Sequence, residues 1–359
     1  MDSGSNRLNS HIPATVRLAG QLLRPDTTDQ ATLAPTLKAY ELECGSDQAS
    51  LAGEFAPYFY YLLHEQNRVA SLPNTSQELL RHSALQAAST AIARRHIIGQ
   101  IGERLAVAGI GAILLKGAAM DRWAYPDQGF RLGSDIDLLV RESDYCRVDE
   151  ALAPLAEYQP KYPGQHAFNA FAVEKPFYVA SPCPVYLDVH RNLSIPKVYA
   201  LDLDALFARA RPHPAEPLLL VMSPEDNLLH FAVHAFYDMQ LFSKQTIDAY
   251  RLIDSNEIDW EALANNARQY RMVQPLAYFL YGLRAAFGDR LHGLPREMGN
   301  LSPAKRGLVE QLLLARPAAL ARRGPTYRVR QLCCQLLLSG NIGGYLHYNI
   351  AYVQARLKA

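Results

Sequence analysis

The chain has 359 residues, with 36 Lys+Arg against 35 Asp+Glu and a net charge of +1, so no whole-molecule field draws it to long nucleic acid. Hydrophobic residues at 49% and charged residues at 20% describe an ordinary globular chain, long enough for two or three domains with their own cores. Cys44, Cys146, Cys183, Cys333 and Cys334 show no zinc-like spacing and read as reduced thiols, Met1–Ser5 opens no signal peptide, and no apolar run approaches the roughly 20 residues of a membrane span, so a cytoplasmic protein with no membrane partner is expected.

In chain order, the first 75 or so residues hold short helical patterns broken by prolines. Asn74-Thr75-Ser76 then caps a long helix expected from Gln77 to Ala108, with Leu79, Leu80, Leu85, Ile92, Ile97, Ile98 and Ile101 as its apolar stripe. Ile110–Leu115 is an apolar run that ends at Lys116-Gly117 and passes into a helix-like segment. A strand that breaks at glycine and opens a helix presents free N–H groups and the positive helix end, a natural phosphate site.

Asp135 and Asp137 stand two residues apart in the strand-like Asp135–Val140, so both point to one face. Two like charges fixed side by side repel, and a divalent cation between them relieves that repulsion. The alternative is that Asp135 caps a turn and Asp137 is solvated at a strand edge. Ser134 supplies a polar approach to this strand, and Arg131 sits where a triphosphate needs a cation. Lys116 shares that logic, with a salt bridge to Asp135 or Asp137 as its other reading.

Farther on, Ser143 is expected to cap a helix through Leu155, and Ala167–Val173 and Phe177–Ala180 are strand-like. Val185–His190 alternates as a strand, placing Tyr186, Asp188 and His190 on one face. His190 is a candidate to orient an acceptor or act as a base, or an ordinary hydrogen-bonded histidine. From Pro224 the pattern is helical, through Ala232–Asp238, Thr246–Ile253, Trp260–Tyr270, Pro275–Phe287 and Ile342–Leu357. Asp226, His230 and His234 recur every four residues on one helix face, which either packs as neutral polar groups or lines a substrate pocket opposite the carboxylates, and suits both better than a zinc site. His234 is the candidate from this face. Lys244 and Asp248 stand four apart and read as a surface ion pair.

Leu115-Lys116-Gly117, Tyr125-Pro126-Asp127, Arg131, Gly133–Val140, Leu187–Arg191 and Ser223–His230 together resemble the nucleotidyltransferase superfamily, with its polymerase-beta-like fold. More narrowly they resemble an uncharacterised bacterial nucleotidyltransferase family, over roughly residues 100 to 255. The resemblance implies that Asp135 and Asp137 bind two magnesium ions, that Asp188 completes the site and helps activate the acceptor, and that Gly117 and its neighbours hold the NTP phosphates. Two departures bear on those phosphate contacts: Ala118 stands where the pattern has a serine, and the stretch from Gly117 to Asp135 is long.

The expected fold is α+β, a small mixed-sheet nucleotidyltransferase core at 109–215 between a helical N-terminal region at 1–108 and a helical C-terminal domain at 216–359. The expected activity is metal-dependent transfer of an NMP group from NTP to a hydroxyl, amine or phosphate of a small-molecule, peptide or protein acceptor. The alternatives are a catalytically silent nucleotide binder and a helical interaction protein on the same fold.

Overall fold

The computed structural model describes residues 12–23, 30–44, 49–125, 131, 135–160, 172–194, 198–288, 291, 293–313 and 325–357. The helices α1 (Ala14–Leu22), α2 (Gln30–Cys44), α3 (Ala49–Glu65) and α4 (Asn74–Val107) come first. An α/β portion follows as β1 (Ala112–Leu115), α5 (Lys116–Met120), β2 (Asp135–Val140), α6 (Val148–Leu152), β3 (Glu157–Tyr158), β4 (Glu174–Val179), β5 (Val185–His190), α7 (Leu203–Arg209), β6 (Arg211–Pro212) and β7 (Leu220–Val221). The remaining helices are α8 (Pro224–Tyr237), α9 (Lys244–Ser255), α10 (Trp260–Gln269), α11 (Val273–Phe287), α12 (Pro303–Leu313), α13 (Pro325–Leu337) and α14 (Ile342–Leu357). The fold is therefore α+β, a mixed-sheet core flanked by helices. None of the described helices is long and apolar enough to cross a membrane.

The sheet runs in the order β3-β4-β5-β2-β1-β7-β6. At its centre β2 is antiparallel to β1 and parallel to β5, while β7 joins β1 in parallel. The last two strands come from residues 211–212 and 220–221, so the sheet takes in chain on both sides of residue 215.

Alternation divides the central strands between two faces. Ala112, Leu114, Ile136, Leu138, Val140, Leu187 and Val189 lie in the main hydrophobic core with α4 residues such as Ile97 and Ile101. Each of the leucine, isoleucine and valine side chains contributes about 1.5–3 kcal/mol by leaving water, which fixes the register against a one-residue slip. On the opposite face Ile113, Leu115 and Leu139 bury against Leu206, Phe207 and Met222, forming a smaller cluster at one end of the sheet. The rest of that face carries the polar residues of β2 and β5.

Local expectations fare unevenly. The long helix forms, but of its stripe Leu85 and Ile92 face solvent while Leu80, Ile97, Ile98 and Ile101 are buried. A 34-residue helix is about 50 Å long and outruns the core it packs on, so its middle turns remain uncovered. No helix starts at Ser143. Residues 142–147 close as successive turns, with the Arg147 N–H on the Asp144 carbonyl at 2.8 Å, and only Val148–Leu152 is helical. Residues 167–171 lie outside the described chain, and Ala172 and Val173 are not in a strand. Helix α8 starts eight residues before Ala232, because the Ser223 hydroxyl accepts the Asp226 N–H and Pro224 supplies a preset first turn.

Candidate active site

Strand register assembles the acidic face. Asp137 of β2 is opposite Asp188 of β5, and Asp135, two residues earlier, shares its side of the sheet. On the far side of β5, His190 is opposite Glu174 of β4, which adds a fourth carboxylate to this face. Asp135 is exposed, Asp188 is half-buried, and Asp137 is buried.

Two cationic or polar groups meet one oxygen of Asp137. Lys116 Nζ donates to Oδ1 at 2.6 Å, and His190 Nε2 lies 3.0 Å from the same atom. Lys116 stands at the strand-to-helix turn with φ of 50°, a left-handed conformation that costs a lysine roughly 1–2 kcal/mol. Of the two readings open for Lys116, the structure thus places it in the salt bridge to Asp137. The other ring nitrogen of His190, Nδ1, is 3.7 Å from Glu174 Oε2, so the imidazole bridges two carboxylates.

This arrangement pulls the carboxylates apart in acidity. Burial works to raise the Asp137 carboxyl, yet the His190 hydrogen bond and the Lys116 charge outweigh it and hold Asp137 well below the usual carboxylate range. Asp188 goes the other way, pushed up to about 6 by burial and by the neighbouring charges of Asp137 and Glu174. Burial pushes the Lys116 ammonium down, but attraction to Asp137 dominates and leaves it raised.

Beyond the acidic face, a cavity of about 370 Å³ is lined by Lys116, Glu174 and His190 from the core and by His230 and His234 from α8. Tyr199 and residues of α14 form more of its wall. His190 and His234 therefore share one cavity. Asp226, expected with the two α8 histidines, is turned away. Its carboxylate takes a bidentate bond from Arg209 at 2.8 and 2.9 Å and one from the Ser223 hydroxyl at 3.1 Å. Burial lowers both His230, strongly, and His234, which keeps them neutral at physiological pH.

Arg131 requires a correction. Its guanidinium does not wait for a triphosphate but is buried, bonding both oxygens of Asp248 at 2.8 Å and reaching Glu54 at 3.3 Å. It also lies 5.0 Å from the Phe55 ring centre. Asp248 in turn is no surface residue: it is 0% exposed and accepts the Tyr125 hydroxyl at 2.8 Å, while Lys244 pairs with Glu54 instead. Gly117 is packed against this network. A Cβ there would stand 2.8 Å from Arg131 Nη1 and 3.0 Å from its carbonyl oxygen, so only glycine fits the approach. Ser134 lies outside the described residues.

Hard oxygen donors on one face suit magnesium chemically, and the raised pKa of Asp188 reflects burial and the neighbouring charges of Asp137 and Glu174, the second of which a divalent ion would relieve. Against that, Lys116 and His190 both use Oδ1 of Asp137, and the described residues hold no cluster of three or more His, Cys, Asp or Glu gathered as a metal site. By chemistry alone the donor set suits the ion, Asp135, Asp137 and Asp188 offering carboxylate oxygens on one face.

Glu174, Asp238 and the tyrosines of the cavity were not legible in the sequence. Glu174 lies on an edge of the alternating pattern, and the tyrosines come from three separate stretches, around Tyr199, at Tyr237 and on α14, which no spacing links to one another.

A mixed sheet with paired carboxylates on its open face beside a strand-to-helix turn is the architecture of a nucleotidyltransferase core. Residues 51–288 match the model of a family described as an uncharacterised nucleotidyltransferase, and the chain belongs to that family. No curated protein and no solved structure matches it.

Proposed function

We propose that this protein is a metal-dependent nucleotidyltransferase that moves an NMP group from NTP to a hydroxyl, amine or phosphate of an acceptor held in the cavity. The observation that carries this reading is the in-register pair Asp137 and Asp188, with Asp135 on the same face and the cavity opening beside them. Asp135, Asp137 and Asp188 would hold two magnesium ions, which when bound supply Lewis-acid stabilisation of the charge building on the triphosphate. The triphosphate lies along the turn at Lys116 and Gly117. Arg131 has no part in that contact, being spent on Asp248.

In the step itself the acceptor oxygen or nitrogen attacks the α-phosphorus, the bond to the β-phosphate oxygen breaks, and pyrophosphate leaves. Asp188 takes the acceptor proton, standing in register with Asp137 on the carboxylate face where the acceptor enters. His190 orients Asp137, and His190 and His234 face the acceptor. The acceptor is a small molecule, peptide or protein, and the setting is cytoplasmic, where NTP is abundant.

The second reading is a catalytically silent nucleotide binder, favoured by the Lys116 bond to Asp137, which neutralises a would-be metal ligand. The two are separated by incubating the protein with each of the four α-labelled NTPs, magnesium and a small-molecule extract. Label should enter an acceptor and pyrophosphate should appear, with both falling to background in Asp137→Asn while the circular dichroism spectrum is unchanged. NTP binding without any release of pyrophosphate, or full transfer by Asp137→Asn, overturns the transferase reading.

A further inference from the structure

The cavity between the sheet and α8 differs in character from a nucleotide site. Among its described lining residues Lys116 is the only lysine or arginine, and its ammonium is already bonded to Asp137 at 2.6 Å. Acidic groups stand on both walls: Glu174 from β4 and Asp238 at the end of α8. A polyanion such as an RNA end would enter against carboxylates with no cation left to meet it.

Five tyrosines stand among the described residues of the remaining wall, with small, apolar and amide side chains between them. Tyr199 and Tyr345 are buried, their hydroxyls 3.3 Å apart, and their rings meet edge to face at 6.5 Å. Tyr348 and Tyr352 follow on the same helix, ring centres 6.3 Å apart. Tyrosine faces attract cations, and they do so more strongly where water is excluded. At the floor, His230 is 5% exposed and its Nδ1 is buried with no hydrogen-bond partner among the described residues. Buried polar atoms are nearly always satisfied, so a polar group of a ligand is the natural completion of this one. A volume of about 370 Å³ accommodates a compact organic molecule and not a folded chain.

We propose that this cavity is the site of a small amine-bearing molecule with an aromatic or apolar body, its ammonium held between Glu174, Asp238 and the tyrosine wall. The inference deepens the transferase reading by naming the chemical class of its acceptor, and it rests on that reading only for the word acceptor. Binding to the cavity is tested without NTP or magnesium, so the two stand or fall separately.

The probes are three molecules with the same ring: 2-phenylethylamine, 2-phenylethanol and phenylacetate. Their binding to the full chain is followed by titration with protein-observed NMR, at pH 7.5 and low salt. The amine should bind tightest and the carboxylate weakest. Tyr348→Leu and Asp238→Asn should each weaken the amine about fivefold and leave the alcohol nearly unchanged. Equal affinities across the three probes, a preference for phenylacetate, or an amine preference that survives the Tyr348→Leu, Asp238→Asn double variant would each overturn the proposal. So would tighter binding of a short single-stranded RNA that competes with the amine. Should the amine preference hold while no labelled NTP is ever consumed, the cavity assignment stands and the transferase reading fails.

Discussion

Replacing Arg131 with methionine separates a phosphate-binding role from a structural one. The variant loses two hydrogen bonds of 2.8 Å to Asp248 and the 3.3 Å contact with Glu54, and leaves the fully buried Asp248 carboxylate with only the Tyr125 hydroxyl. Removing one partner of a buried ion pair costs about 3–5 kcal/mol, since the remaining charge has neither water nor a counter-ion. At roughly 2–4 °C per kcal/mol for a chain larger than a small domain, the midpoint should fall on the order of 10 °C. Asp248→Leu in the same chain should return most of that loss, because a buried pair replaced by apolar groups of similar volume is close to neutral. Thermal and urea unfolding measure both variants, and calorimetry measures NTP binding in the double variant, which should equal that of the parent. A single variant as stable as the parent but unable to bind NTP would refute the structural account and restore Arg131 to the phosphates.

Two further outcomes follow from the acidic cavity. Asp188 has a folded value near 6 against 3.8 unfolded, so the folded chain binds this proton more tightly, and the stability it lends is complete below about pH 4 and lost as pH rises through 6. Without magnesium the midpoint should therefore fall between about pH 4 and 6, and Asp188→Asn should flatten that fall; a profile identical in parent and variant would remove the burial and like-charge account of this carboxylate. His234→Ala should raise the KM for acceptor by about tenfold while NTP affinity, read by calorimetry, stays within twofold; equal losses in both would place His234 on the nucleotide.

Much of the site was legible because it is local. The Asp135-x-Asp137 spacing and the alternation of Val185–His190 each fix a face, and the apolar residues between them hold the strands in a sheet where the faces coincide. The break at Lys116-Gly117 likewise follows from residue types alone. Periods of two and of three to four residues are properties of a backbone segment, so a sequence carries them whatever surrounds it.

Partnership across the chain is different. Arg131 beside a predicted phosphate turn looks like a triphosphate cation, and Lys244 four residues before Asp248 looks like a surface pair. The fold instead brings Arg131 to Asp248 across 117 positions and sends Lys244 to Glu54 across 190. Nor does any spacing announce that Tyr199 meets Tyr345. A charged side chain has many candidate partners in a sequence, and the one it takes is the one that folding carries out of water with it. That Asp135 and Asp137 share one strand face, and Asp188 and His190 another, was set by the sequence itself; that the two faces coincide and Glu174 joins them, which cations answer them, and that tyrosines line the cavity, was decided only by the pairing of the strands and the packing of α8 and α14.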